Sequence, residues 1–388
     1  MNATSFGSEL PPCHLCGGDL RYFRSFSQLG GVTSDCQPWQ GLTQLAVCKS
    51  CGAVQKALTK GWYEEVSQIY AAYSNYSQAE GNEQLSFNAK TGANSSRSSS
   101  IIYWLKNQTS IPESGFLLDI GCGNGSFLRE FQKTFPRWQM IGAELDDRNR
   151  QTVESIPGVL TLHTSPLTEL NQRFDLIVMV HALEHIPNPI EFLSGLKDLL
   201  TPSGRLLVEV PDLSTSPFDI LIVDHCTHYS HELLLGVMEL AGFKIVISDV
   251  DCVPKELTLI AEVSTNAMIC SKFIDQAHKD SNVVQSHIQW LNEILNQANY
   301  SEGDIGIFGT SISATWLAHK LQGRVTFFVD EDESRVGNSH LGLPILSTEN
   351  APSSIPILMP LRRDIATMIN NRLGLRLNLI LPPEKLLP

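Results

Sequence analysis

The stretch "LLDIGCGNGSF" (residues 117–127) decides the fold predicted for the centre of this chain. A short apolar run ends there, and Gly121, Gly123 and Gly125 follow before a helical pattern begins. Glycines are needed where a chain turns sharply after a strand and lets a ligand approach its backbone closely. The G-x-G spacing is that of a nucleotide site, but Ser126 stands where a dinucleotide fingerprint has its third glycine. The pattern therefore predicts a strand–loop–helix nucleotide site and disfavours NAD.

Similar short apolar runs recur on both sides of this loop. They read "GFLLDIG" (115–121), "WQMIGAEL" (138–145), "FDLIVMV" (174–180) and "RLLVEVP" (205–211), with amphipathic segments between them. Continuous apolar runs bounded by turn residues are typical of parallel strands that are buried on both faces. Strands that alternate with helices imply a doubly wound α/β sheet. The predicted fold class is therefore α/β, with a Rossmann-like domain at its centre.

Shifts in composition divide the chain into four predicted parts. They are a Cys- and Gly-rich module (1–60), a helix and polar linker (61–100), the α/β domain (101–263), and a second, smaller α/β domain (264–388). A long helical segment, residues 271–298, leads into the last part. No repeat of 20–50 residues marks a solenoid, so we expect separate globular units.

The charge and the N-terminal sequence limit the expected partners and compartment. The formal net charge is −13, whereas nucleic-acid binding depends on basic groups that contact phosphates. Residues 1–12 lack the pattern of a signal peptide, and no apolar run approaches the roughly 18 residues that span a bilayer. Nine cysteines in such a chain indicate reduced thiols and metal binding. We expect a soluble, cytoplasmic protein with no nucleic-acid or membrane partner.

Two CxxC pairs near the N-terminus, Cys13 with Cys16 and Cys48 with Cys51, predict a zinc site. Four thiolates suit the tetrahedral coordination of structural zinc. With every position filled by protein, the metal would hold the module together and take no part in catalysis. A redox role is the alternative interpretation, and Cys36 in the intervening loop is an alternative ligand.

The glycine loop and the acidic residue after the next strand resemble motif I of the class I SAM-dependent methyltransferases. Asp119, Gly121 and Gly123 fit the D-x-G-x-G pattern of that family, and Glu144 ends the second strand. The resemblance implies that the loop holds the methionine part of S-adenosylmethionine (SAM) and that Glu144 binds the ribose hydroxyls. A carboxylate suits that role because it accepts two hydrogen bonds from a vicinal diol. The alternative is an ordinary tight turn beside a solvated strand end.

The segment "HALEHI" (181–186) also resembles this family, at the loop between the fourth strand and the next helix. The resemblance implies that His181 faces the cofactor. Glu184 and His185 are open to two interpretations, an acid–base pair or a structural pair that fixes the loop and the helix start.

The order of the parts is similar to that of the zinc-containing sugar C-methyltransferases, which methylate a carbon of a nucleotide-linked keto-deoxysugar. That family carries a Tyr-x-Glu-His segment, whose histidine is the base. In "FDILIVDHCTHYSHELL" His225 matches the histidine and Asp224 the glutamate, but Ile222 replaces the tyrosine. His228 and Tyr229 lie close enough in sequence to replace it. The resemblance implies C-methylation of a small, nucleotide-sugar-like acceptor, with His225 and Asp224 as the catalytic residues.

Other interpretations stay open at this point. The chain is alternatively an O- or N-methyltransferase of another small molecule, or a non-catalytic protein that binds SAM or a nucleotide sugar. His225 and His228 then serve only to cap a loop. Residues 69–84 form either a lid over the cofactor or a packed helix with a linker. In the C-terminal part, Asp330 and the "FGTS" turn (308–311) form either a ligand site or an inert packing domain.

Overall fold

The computed structural model describes residues 11–41, 44–73, 83, 85–87, 94–264, 273–300 and 303–384. Its strands form three main sheets, of four, seven and six strands, and two short two-stranded ribbons. No helix in the described ranges is long and apolar enough to cross a membrane.

The N-terminal part consists of short strands followed by two helices. The elements are β1 Leu20–Tyr22, β2 Gly31–Val32, β3 Pro38–Trp39, β4 Leu45–Cys48, β5 Val54–Lys56, α1 Lys60–Ala72, β6 Leu85–Phe87, β7 Asn94–Ser96 and α2 Arg97–Gln108. Both helices have hydroxyl N-caps, because Thr59 accepts a hydrogen bond from the Trp62 amide and Ser96 accepts one from the Ser99 amide. The run "SSRSSS", which the sequence analysis assigned to the linker, therefore begins a helix.

The central part forms the seven-stranded sheet. Its elements are β8 Phe116–Ile120, α3 Ser126–Thr134, β9 Gln139–Ala143, α4 Arg150–Glu154, β10 Val159–His163, β11 Phe174–Val180, α5 Pro189–Leu196, β12 Leu200–Pro211, β13 Thr227–His228, α6 His231–Leu240, β14 Phe243–Asp249 and β15 Glu256–Val263. The strand order is β10-β9-β8-β11-β12-β15-β14. The Rossmann-like α/β prediction is confirmed.

This sheet is mixed, whereas the alternation of strands and helices predicted a parallel one. Strand β15 runs antiparallel to both of its neighbours, β12 and β14. The cause lies in the connection, because β14 and β15 follow each other without an intervening helix and so form an antiparallel pair. The strand order reverses between β8 and β11, where open α/β sheets bind their ligands at the carboxyl ends of the strands.

The C-terminal part forms a second α/β unit, as predicted. Its elements are α7 Phe273–Tyr300, β16 Ile305–Phe308, α8 Ile312–Leu321, β17 Val325–Val329, β18 Ser339–His340, β19 Leu343–Leu346, β20 Ile357–Leu358, α9 Arg363–Leu373 and β21 Leu379–Ile380. The strand order is β18-β19-β17-β16-β20-β21, and only β18 is antiparallel to its neighbour.

The segment 212–230 of the central part lies against both other parts. Strand β13 pairs antiparallel with β5 and completes the N-terminal sheet, in the order β1-β4-β5-β13. The amide of Val223 donates to the carbonyl of Val32 at 2.9 Å, which adds a second backbone link. From α7, His287 lies 2.6 Å from the carbonyl of Leu213. The N-terminal sheet therefore extends beyond residues 1–60, since it takes its fourth strand from the central part.

Candidate active site

The glycine loop has a backbone that only glycine adopts without strain. Gly121, Gly123 and Gly125 have φ angles of 74°, 55° and 81°. A Cβ on Gly121 would lie 3.0 Å from the Cβ of Ala182, so the loop packs closely against the segment after β11. The amide of Gly121 donates to the carbonyl of Ala143 at 2.9 Å, which fixes the loop to the end of β9.

Two carboxylates flank this loop. Asp119 is buried near the end of β8, and its Oδ2 has no hydrogen-bond partner among the residues that the structure describes. Glu144, just after β9, accepts hydrogen bonds from the Gly123 amide at 2.6 Å and the Leu145 amide at 3.1 Å. Burial and the charge of Glu144 raise the pKa of Asp119 to about 8. Burial also raises the pKa of Glu144, against the opposing effect of the two amides. The loop therefore presents two acceptor groups that suit an ammonium and a diol.

His181 has a strained backbone at the end of β11. Its φ is 51°, a left-handed conformation that costs about 1 kcal/mol or more for a non-glycine residue. The backbone is held by a hydrogen bond from its amide to the carbonyl of Glu209 at 2.9 Å. Its ring nitrogens lie 3.3 Å from Glu184 and 3.1 Å from Glu256.

Three residues of this region were missed by the sequence analysis. Arg97 lies 3.3 Å from the fully buried carboxylate of Glu209 and 3.5 Å from that of Glu256. Burial and the charge of Glu256 raise the pKa of Glu209 well above its usual value. Burial opposes ionisation of Glu256 as well, but His181 and Arg97 outweigh it and lower its pKa. A carboxylate within the apolar run "LLVEVP" was a usable signal for Glu209, whereas Arg97 lay in a polar run without any pattern.

His225 and His228 share one buried carboxylate. Asp219 Oδ1 lies 2.7 Å from Nδ1 of His225, and Asp219 Oδ2 lies 2.5 Å from Nδ1 of His228. All three side chains are at most 3% exposed. The sequence analysis did not identify Asp219, because it lies six residues before His225 in a stretch without helical or strand periodicity.

The two histidines respond differently to this common partner. Burial by itself lowers the pKa of His225, but the adjacent charge of Asp219 outweighs it and raises the pKa to about 9. Burial and the nearby Lys56 lower the pKa of His228 to about 4, in spite of Asp219. Burial opposes ionisation of Asp219, but the two histidines reverse the effect and lower its pKa. His225 is therefore the ring that carries the proton at neutral pH.

Asp224 contacts other groups than the His225 ring. Its two oxygens accept hydrogen bonds from the amide and the hydroxyl of Ser34, in the N-terminal part. Nδ1 of His185 lies 3.5 Å from the same carboxylate. The charge of Asp224 still favours the protonated form of His225, although less than that of Asp219 does.

Glu184 connects the two histidine groups of the site. One of its carboxylate oxygens and one ring nitrogen each of His185 and His225 lie within 4.8 Å of one another. The same carboxylate lies 3.3 Å from Nδ1 of His181. Neither oxygen of Glu184 has a hydrogen-bond partner within the described part of the chain, and the side chain is 1% exposed. Glu184 thus lies between His181, the predicted cofactor residue, and His225, the predicted base.

The end of α1 covers this region. The hydroxyl of Tyr70 lies 3.0 Å from Nδ1 of His185, and the hydroxyl of Tyr73 accepts a hydrogen bond from Ser34 at 3.1 Å. Arg148, close to Glu144 in sequence, donates to the carbonyls of both tyrosines. Most of the remaining lid prediction, residues 74–82 and 84, lies outside the described residues.

The four predicted zinc ligands converge at one end of the N-terminal sheet. The Sγ atoms of Cys13, Cys16, Cys48 and Cys51 all lie within 4.8 Å of one another. Cys13 and Cys51 are 3.6 Å apart, and Cys16 and Cys48 are 3.5 Å apart. Tetrahedral zinc with Zn–S bonds of about 2.3 Å places its sulfurs about 3.8 Å apart, so the cluster fits that ion.

The acidic residue of the C-terminal α/β unit is already paired. Asp330 accepts a hydrogen bond from the hydroxyl of Thr310 at 2.8 Å and lies 3.8 Å from the guanidinium of Arg335. Arg335 also donates to Thr310 at 2.6 Å and is 3% exposed. The "FGTS" turn therefore packs against its own acidic residue through protein groups.

Comparison with known proteins agrees with the site geometry of the central part. Residues 100–248 match the family profile described as "Methyltransferase domain". With the glycine loop, the paired carboxylates and the strand order, this match defines a class I SAM-dependent methyltransferase domain. SAM is the methyl donor of this class of enzyme.

Curated relatives resemble about a third of the chain. The C-methyltransferase NovU of Streptomyces niveus is 27% identical over 148 residues, which are 35% of this chain and 34% of that protein. The trans-aconitate 2-methyltransferase of Deinococcus radiodurans is 28% identical over 35% of this chain and 51% of its own length. A ubiquinone biosynthesis O-methyltransferase of Cereibacter sphaeroides is 26% identical over 28% of this chain and 45% of its own length. The chain thus spans a third to a half of the length of these relatives.

Solved structures include similar methyltransferases. The mitomycin 7-O-methyltransferase MmcR is 15% identical with a TM-score of 0.38, over 52% of this chain and 67% of that chain. A methyltransferase from Clostridium acetobutylicum is 13% identical with a TM-score of 0.36, over 52% of this chain and 99% of that chain. The assignment above rests on the family profile and the site.

Proposed function

We propose that this protein transfers a methyl group from SAM to a carbon of a small, nucleotide-sugar-like acceptor, with His225 as the base. The observation that carries this proposal is the position of the buried Glu184 carboxylate, which lies 3.3 Å from Nδ1 of His181 and within 4.8 Å of a ring nitrogen of His225. It joins the cofactor edge of the sheet to a histidine that is held by a carboxylate. Such a pairing is what a general base requires.

The proposed cofactor site consists of Asp119, Gly121, Gly123, Glu144 and His181. SAM supplies an electrophilic methyl group on a sulfonium. The buried, unpartnered oxygen of Asp119 suits the ammonium of the methionine part, and Glu144 suits the ribose diol. For the diol to bind, it has to replace the amide contacts that Glu144 now makes with Gly123 and Leu145.

His225 would remove a proton from the acceptor carbon. The electron pair of that C–H bond attacks the methyl carbon, the sulfur–methyl bond breaks, and the sulfur keeps its electron pair. The proton ends on the His225 ring, and Asp219 stabilises the resulting imidazolium. Because the pKa of His225 is raised to about 9, the unprotonated form that acts as a base increases as pH rises through that value.

We propose that Cys13, Cys16, Cys48 and Cys51 hold one structural zinc ion. The spacing of the sulfurs supports it, together with amide hydrogen bonds from Ser50 and Cys51 to the Cys48 sulfur, both at 3.4 Å. Such bonds stabilise a thiolate. None of the eight cysteines in the described residues is in a disulfide, which agrees with the reducing cytoplasm as the proposed compartment.

Methylation of oxygen is the second candidate function. It is favoured by the O-methyltransferase relative, whose identity of 26% is close to the 27% of NovU. The isoleucine at position 222, where sugar C-methyltransferases have a tyrosine, also separates this chain from the carbon-methylating pattern.

One experiment separates the two candidates. The protein is incubated with SAM labelled with carbon-13 in its methyl group and a panel of nucleotide-linked keto-deoxysugars, and products are analysed by NMR. A new methyl group on a ring carbon supports the proposal, and one on oxygen supports the second candidate. His225→Ala should abolish carbon methylation while SAM affinity, measured by calorimetry, is unchanged. Turnover close to that of the wild type would exclude His225 as the base.

A further inference from the structure

Asp219 makes a fully buried polar contact with two histidines, one of which is the proposed base. Its two oxygens contact the Nδ1 atoms of two different histidine rings, and all three groups are buried. An ionised carboxylate accepts hydrogen bonds and donates none. Both rings must therefore carry a hydrogen on Nδ1, and their Nε2 atoms are directed away from Asp219.

We propose that Asp219 is the positioning residue for His225, which fixes its Nδ1–H tautomer and directs Nε2 toward the acceptor. This inference rests on the proposed role of His225 as the base. Without Asp219, a neutral His225 is free to carry its hydrogen on Nε2, which leaves the wrong nitrogen available for proton removal. The residue acts through the ring and does not itself touch the acceptor.

Among the charged groups around His225, Asp219 raises the pKa of its ring the most. Other charged and titratable groups near this pair come from β5, the loop after β11 and the segment 212–230, which includes β13: Lys56, Glu184, His185, Asp224 and His228. Tyr70 of α1 contacts His185. In the described structure, none of these groups makes a hydrogen bond with Nδ1 of His225, which instead lies 2.7 Å from Asp219 Oδ1.

His228 provides an internal comparison for the proposal. It has the same carboxylate partner, but it lies near Lys56, whose amine donates to the carbonyl of Ile220. His225 instead faces Glu184 and His185, which belong to the side of the site that leads to the cofactor. The second contact of Asp219 therefore restricts its rotation and keeps the first oxygen aimed at His225.

The test is nitrogen-15 NMR of the histidine rings in the full chain labelled with nitrogen-15 histidine. The His225 signals are assigned by their loss in His225→Gln. In the wild type we expect a hydrogen on Nδ1 of His225 at a pH above about 9, where the ring is neutral, and in Asp219→Asn a downward shift of its titration by about one pH unit or more. Calorimetric titration with SAM checks that the variant is folded, since its affinity should not change.

The matched control is Asp212→Asn. Asp212 is another buried carboxylate of the same segment, and its oxygens accept hydrogen bonds from Ser214 and Thr215. This substitution should leave the His225 signals and their titration in place. If both variants shift the titration equally, the effect of Asp219 is merely structural and the proposal is wrong.

Turnover gives the second readout. With an acceptor found in the labelled-methyl experiment, Asp219→Asn should lower kcat on the order of 100-fold, change KM little and move the pH profile to lower pH. An unchanged tautomer and unchanged titration of His225 in Asp219→Asn overturn the proposal. If the variant does not fold, a wild-type ring with its hydrogen on Nε2 overturns it equally. The NMR result does not depend on methyl transfer, so it is separate from a failure of the proposed function, which would appear as a missing or oxygen-linked methyl group.

Discussion

The chain contains two strand–glycine turn–helix units, and the acidic residues that follow their second strands have different partners. After β9, Glu144 contacts only backbone amides and is next to the unpartnered Oδ2 of Asp119 in the described structure. After β17, Asp330 is held by Thr310 and by the guanidinium of Arg335. A ligand can replace amide contacts, but it cannot easily replace a buried ion pair that the protein itself supplies. The same sequence pattern therefore leaves acceptor groups for the proposed cofactor in one unit and gives a packing contact in the other.

The largest expected effect is on the stability of the C-terminal unit. Arg335→Ala should lower the free energy of unfolding by about 3–5 kcal/mol, because it removes a buried guanidinium and leaves the partly buried Asp330 and Asp332 without their cation. Chemical denaturation measures the change. The double variant Arg335→Met with Asp330→Asn should lose less than the single one. If Arg335→Ala is as stable as the wild type, the ion pair does not stabilise the C-terminal unit.

The next effect concerns SAM affinity and compares the two acids directly. Glu144→Ala should weaken SAM binding by about 1.5–3 kcal/mol, or roughly 10- to 100-fold, through the loss of a charged hydrogen-bond acceptor. Asp330→Ala should leave the affinity unchanged. Calorimetric titration of both variants decides the matter. Equal weakening in both would mean that the C-terminal unit also binds the cofactor.

A smaller effect is expected from the glycines of the two turns. Gly121→Ala should cost about 1–2 kcal/mol, because the residue has a φ of 74° and the new Cβ would lie 3.0 Å from Ala182. Gly309→Ala has a similar φ of 84°, but no atom lies within 4 Å of the added Cβ in the described structure. Denaturation and SAM titration should show a greater loss for Gly121→Ala in both measurements. A greater loss of stability and SAM affinity in Gly309→Ala than in Gly121→Ala would contradict this prediction.

The smallest expected effect is a pH dependence in the central unit. The pKa of Asp119 is raised to about 8, so the ligand-free protein is more stable when this group is protonated and loses that stability as pH rises from about 4 to 8. A bound ammonium favours the ionised form, so SAM should raise Tm more at pH 9 than at pH 6. Thermal shifts with and without SAM measure this. Asp119→Asn should flatten the dependence, whereas Asp330→Asn should keep it.

The geometry around the glycine loop was predictable because its signals are local. The glycine loop and Glu144 directly follow apolar runs that are typical of buried strands, and the structure places them next to each other at the ends of β8 and β9. The support of His225 was not predictable in the same way. Asp219 and Arg97 reach their partners through tertiary contacts, and neither lies in a periodic pattern. The antiparallel β15 was missed because a short apolar strand does not encode the direction of its neighbour.

Strand β13 determines which pieces of this chain can be exchanged between related proteins. The strand belongs to the central part by sequence but to the cysteine-bearing sheet by hydrogen bonding. A chimera cut between residues 60 and 101 would separate Val54 and Gln55 from their pairing partners, and Ser34 from Asp224. A chimera that preserves these contacts therefore has to exchange two separate segments, residues 11–60 and 212–230. Engineers who seek new acceptors should exchange these two segments together.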